Sequence, residues 1–227
     1  MIRVETFTSI GNRIENQDFI AYQKIGDEAG VFVVCDGMGG YDHGDVASKI
    51  VAESIVESIT MYWDKATIPE LIVDAILYAN ESLALKKLAL ACKNMGACMC
   101  CVVIDGAKAY FSWFGDCRIY LYRNSVECYC TEDHSMVRDL AKVKALKAED
   151  IEKYSHIVTR SIMGNIKLDP IEMKELVLQP DDKLLLCTDG LHKSVNLPIR
   201  WTDNLIVELK SRNDNFDDNA TCLTIKL

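Results

Sequence analysis

Two stretches of helical periodicity lie back to back in the first 90 residues or so, with short β-rich runs on either side. Over residues 45–60 the apolar residues Val46, Ala47, Ile50, Val51, Ile55 and Ile59 recur at intervals of three and four, which puts them on one helix face. A second helix is expected from Pro69, a residue suited to a first helical turn, with Leu71, Ile72, Ala75, Ile76, Ala79 and Leu83 as its buried stripe. Before this pair, residues 31–35 form an apolar β-rich run that stops at Asp36-Gly37. After it, residues 99–104 and 108–114 flank Asp105-Gly106, a two-residue hairpin signal, and 119–123 ends at Asn124-Ser125. Residues 135–155 are charged and helix-prone. Strands are expected again over 183–188 and 221–227, with a helix over 203–210 between them. Strand clusters around a helix pair predict a layered α+β domain with antiparallel sheets, not an alternating βαβ fold.

No repeat, low-complexity tract or Pro/Gly-rich linker interrupts this pattern, so residues 1–227 read as one domain. Apolar residues at 49% are enough to build a sizeable core. The net charge of -9 argues against nucleic acid as a partner and disfavours anionic membranes. The first residues carry no secretory h-region, and no apolar run approaches the roughly 18 residues of a membrane span. A reducing, cytoplasmic setting is therefore expected for the ten cysteines. Cys98, Cys100 and Cys101 invite a zinc reading. No His or C-x-x-C pair accompanies them, and strand alternation puts Cys101 on the opposite face from the other two, so they read as core residues.

Several acidic residues share one context. Asp36 follows Val33-Val34-Cys35, and Asp189 follows Leu185-Leu186-Cys187-Thr188; each is followed by glycine, Gly37 or Gly190. Asp116 lies between two strands, and Asp217-Asp218-Asn219 precedes the last one. Any single Asp-Gly is most simply a turn. If these strand ends converge, though, the carboxylates cannot all stay ionised without cations, and hard oxygen donors favour Mg²⁺ or Mn²⁺ over zinc. Spacing alone leaves both readings open.

In order, the chain reads Gly11-x-Arg13-x-x-Asn16-Gln17-Asp18, Asp36-Gly37-Met38-Gly39-Gly40 and Gly115-Asp116-Cys117-Arg118. Asp133-His134, Thr159-Arg160, 184–191 (LLLCTDGL) and Asp218-Asn219-Ala220-Thr221 follow. This ordered set, from residue 11 to 221, resembles the PPM family of metal-dependent serine/threonine protein phosphatases, the type 2C class, in its compact bacterial form. The resemblance implies a four-layer α-β-β-α sandwich, two antiparallel sheets flanked by helices. It implies two Mn²⁺ or Mg²⁺ ions bridged by Asp36, with Asp189 and Asp218 completing one site and the Gly37 carbonyl helping the other. Asp18 corresponds to an outer acid holding water near the second ion, and Asp116 to a residue that binds a third, weaker ion together with Asp189. Arg13, five residues before Asp18, corresponds to the arginine that grips phosphate. The implied reaction is in-line attack on phosphoserine or phosphothreonine by a water activated at the dinuclear centre. The implied partners are phosphorylated proteins, and a monomer is expected.

The chain departs from that pattern in places. Met38 stands where many eukaryotic relatives have a histidine proposed as general acid, and His134 reads as structural rather than as its substitute. Cys117 replaces the usual serine, which raises redox control as a hypothesis testable with peroxide. The flap-like stretch 135–156 carries Arg138, Lys142, Lys144, Lys147 and Lys153, with Arg160 nearby. A basic flap would favour acidic phosphoproteins, but a solvated helix face accounts for the same charges and is preferred. Trp201 reads as a packing residue. Two other functions stay open: a catalytically silent relative that binds phosphoproteins, and a hydrolase of small phosphoesters.

Overall fold

A computed structural model of the chain describes residues 1–38, 43–143, 145–195, 201–212 and 215–227. Gly39, Gly40 and Lys144, singled out above, lie outside the described residues. The chain begins β1 (Arg3–Ser9), β2 (Asp18–Lys24), β3 (Ala29–Gly37), α1 (Gly44–Tyr62) and α2 (Ile68–Ala89). It continues β4 (Ala97–Asp105), β5 (Lys108–Phe114), β6 (Arg118–Arg123), β7 (Val126–Cys130), α3 (Met136–Ala141) and α4 (Ala148–Tyr154). It ends β8 (Met173–Val177), β9 (Lys183–Cys187), α5 (Asp189–Ser194), α6 (Leu205–Ser211) and β10 (Ala220–Lys226).

The strands form two five-stranded antiparallel sheets, ordered β1-β10-β9-β6-β7 and β2-β3-β4-β5-β8. Helices cover their outer faces, which makes the expected four-layer α+β sandwich. β4 shows why the layers stack as they do, because it is apolar at nearly every position and must be covered on both faces. Its Cys98, Cys100, Val102 and Ile104 meet Phe32, Val34, Leu184, Leu186, Leu223 and Ile225 between the sheets. Its Met99, Cys101 and Val103 face the other way and pack under Val51, Ile55, Ile72 and Ile76 of the α1–α2 pair. All ten cysteines are free thiols.

The helix pair follows its sequence closely. α2 opens with a capping box between Thr67 and Glu70 and with proline in its first turn, and the whole expected stripe is buried. The hairpin after β4 turns one residue later than expected. Asp105 still pairs with Lys108, so the two-residue loop is Gly106-Ala107, and Gly106 takes a φ of 57°. The helix-prone stretch 135–155 forms the two short helices α3 and α4, neither with a buried residue. Its charges are used locally: Arg138 pairs with Glu132, Lys142 with Asp139, and Lys153 lies over the Tyr154 ring. Trp201 packs against Tyr122, its ring centroid 5.5 Å away, beneath α6.

Candidate active site

The antiparallel register of β2 and β3 sets Asp18 directly opposite Asp36. β9 runs beside β10, so Asp189, just after β9, comes up next to Asp218, just before β10. The β5–β6 turn adds Asp116. One cleft of about 1380 Å³ is lined by Arg13, Asp36, Gly37, Asp116, Asp189 and Asp218 together. Asp18 lies behind this lining, buried: Thr188 Oγ1 donates to its Oδ2 at 2.9 Å, while its Oδ1 has no partner.

The glycines flanking these acids are required by packing. A side chain at Gly37 would put its Cβ 2.1 Å from the carbonyl oxygen of Gly44, and one at Gly190 would meet that of Asn219 at 2.0 Å. Gly11 has a φ of 57° and presses against the Asp218 carbonyl. Asn219 holds the loop that carries Arg13: its Nδ2 donates to the carbonyls of Ile10 and Glu15, and its Oδ1 accepts from the Gln17 amide. Arg13 is thereby delivered to the cleft, where its guanidinium donates to Asp218 Oδ2 at 2.6 Å.

Burial first, and crowding second, shift the protonation of these acids. Burial, reinforced by Asp18, Asp189 and Asp116, raises the Asp36 carboxyl well above its ordinary range. Burial likewise raises Asp18 to about 7 and Asp116 to about 6. For Asp189, burial is outweighed by the Lys193 ammonium, which keeps this carboxyl low. Lys193 donates to Asp189 Oδ2 at 2.5 Å and to Asp116 Oδ2 at 3.4 Å.

An all-oxygen donor set, a buried carboxylate oxygen with no partner and carboxyls that hold protons near neutrality are what two hard divalent cations would relieve. Among the described residues no three His, Cys, Asp or Glu side chains already close around one point. Arg13 pairs with Asp218, and Lys193 with Asp189 and Asp116.

Sequence reading missed Lys193 and the His156 that lines the cleft from beyond α4. The four-residue step from Asp189 to Lys193 was the available signal for the first. His134 is structural, as expected: it is buried, its Nδ1 accepts from the Gly115 amide, and its ring stacks on Trp113. The Cys117 thiol is buried beside Cys100; their hydrogen bond and the burial push its pKa well up, which disfavours the thiolate that redox control would use.

The pattern of the protein phosphatase 2C family matches residues 8–216. The serine/threonine phosphatase stp of Listeria innocua is 28% identical over 198 residues, which covers 81% of this chain and 75% of that protein. The solved S. agalactiae serine/threonine phosphatase aligns with a TM-score of 0.80 at 26% identity, over 99% of both chains. The catalytic domain of the serine/threonine protein phosphatase PstP, solved with two manganese ions, shares the fold with a TM-score of 0.79 at 21% identity, over 99% of this chain and 97% of that one.

Proposed function

This chain belongs to the protein phosphatase 2C family, and from that premise we propose that it is a metal-dependent protein serine/threonine phosphatase. The observation that carries the reading is the meeting of Arg13, Asp36, Asp116, Asp189 and Asp218 in one cleft, with Asp18 buried behind them. Asp36, Asp189 and Asp218, with the Gly37 carbonyl, would hold two Mn²⁺ or Mg²⁺ ions. These ions, when bound, supply Lewis acidity and activate water for in-line attack on phosphorus. They also let a chain of net charge -9 receive a phosphate dianion.

The chain's own groups do the rest. The Arg13 guanidinium, half-exposed and now on Asp218, presents a planar fork that grips two phosphate oxygens and stabilises charge developing on them. Asp18 keeps Oδ1 free to accept a hydrogen bond from water, while Thr188 fixes its other oxygen. Met38 lines the cleft without a transferable proton, so the leaving alkoxide takes its proton from water. The substrates are phosphorylated proteins, as for the serine/threonine phosphatases it resembles. We further propose that residues 1–227 act as one catalytic unit, as a monomer and in the cytoplasm. Among the described residues, no helix is long and apolar enough to cross a membrane.

The test is a phosphopeptide assay with and without Mn²⁺ on the wild type and Asp36→Asn, with a small aryl phosphate run alongside. Metal-dependent release of phosphate that is lost in the variant is expected. Equal turnover by both proteins would overturn the metal reading, and turnover of the small ester alone would overturn the protein-substrate reading.

A further inference from the structure

Lys193 lies one turn along α5 from Asp189, so its chain folds back over that carboxylate. Its ammonium lies 2.5 Å from Asp189 Oδ2 and 3.4 Å from Asp116 Oδ2. These acids come from separate elements, the start of α5 and the β5–β6 turn, and Lys193 joins them. The site is not a loose surface contact: Asp116 is 9% exposed, and the Asp189 side chain 20%. A divalent ion between the same two carboxylates would compete for the Oδ2 atoms that Lys193 already binds, and it would sit against a positive charge. Two carboxylates and one ammonium leave that corner with about one net negative charge, too little to attract another dication strongly.

We propose that Lys193 is a built-in counter-ion that occupies the place of a third divalent ion between Asp116 and Asp189, leaving the protein with two exchangeable ions. The inference rests on the metal-dependent reading above. It makes Lys193 a positioning residue, which holds Asp116 and Asp189 in place, and it replaces the expected weak third metal with an ammonium.

The test is the number of Mn²⁺ ions bound per chain, counted by calorimetry and by electron paramagnetic resonance of free Mn²⁺. The proteins are the wild type, Lys193→Met, Lys193→Arg and the double variant Lys193→Met with Asp116→Asn. Methionine keeps most of the unbranched apolar stem of the half-exposed side chain, so the fold should be retained. Two ions are expected in the wild type and in Lys193→Arg, three in Lys193→Met, and two again in the double variant. Three ions in the wild type, or two in Lys193→Met, would overturn the proposal while leaving the phosphatase reading intact. No ion bound to the wild type would overturn both.

Discussion

Asp18 is a carboxyl buried among other carboxyls with one oxygen unpartnered. Its pKa is raised to about 7 by burial first, with Asp189 and Asp218 adding to the shift against the hydrogen bonds from Thr221 and Thr188. A raised acid pKa means that the folded state binds the proton more tightly than the unfolded state. Its favourable contribution is complete below the ordinary value of 3.8 and is lost as pH rises towards 7. In metal-free protein, Asp18→Asn should therefore match the wild type near pH 4 and exceed it at pH 8 by on the order of 4 kcal/mol. Urea denaturation at the two pH values measures this, and a gap that widens towards low pH would contradict it. The neighbouring glycines teach a different point. Sequence reasoning gave Gly37 the task of bringing its carbonyl towards an ion, whereas its contacts show that a side chain is excluded by the start of α1.

Among the elements, visibility in the sequence follows burial. α1, α2, β3 and β4 pack against a core on one face or both, so their apolar periodicity is strong, and sequence reading found each of them. β1, β2 and β8 are edge strands with mixed polarity, and their pairing comes from the partner strand, not from their own pattern. They were missed for that reason, as was six-residue α5, whose opening Asp189-Gly190 was read as a strand-end acid and candidate metal ligand followed by glycine, not as the start of a helix. The weight of the α2 stripe can be measured. Ile72 is fully buried beneath the helix pair, so Ile72→Ala should lower unfolding free energy by about 2–5 kcal/mol. Leu88, on the same helix but 78% exposed, should change it by less than about 0.5 kcal/mol when replaced by alanine. Comparable losses at both positions in chemical denaturation would mean that α2 is not seated as described.

Across the whole molecule the cleft is assembled from both ends of the chain. β1 pairs with β10, and Asn219 ties the Arg13 loop to the base of the last strand, so an arginine near the start meets an aspartate 205 residues later. Ions bound there would join β3, β9 and β10 and relieve the repulsion among their carboxylates. At about 100 times its dissociation constant, one such ion should stabilise the protein by about 2.7 kcal/mol, raising Tm by roughly 5–10 °C for a chain of this length. Thermal melts with Mn²⁺ and then excess chelator should show this shift and its reversal, and Asp36→Asn should lose most of it. An unchanged Tm at saturating Mn²⁺ would argue that the carboxylates are held by Lys193 and Arg13 alone. Local order in the residues was enough to read the central helices and strands, the layered α+β class and the candidate acids, because periodicity and ordered motifs survive in one dimension. Which carboxylates share protons, which cation lies between Asp116 and Asp189, and why glycine must follow Asp36 depend on distances of a few ångströms between residues far apart in the chain. Those distances come from sheet register and layer packing, and no local pattern encodes them.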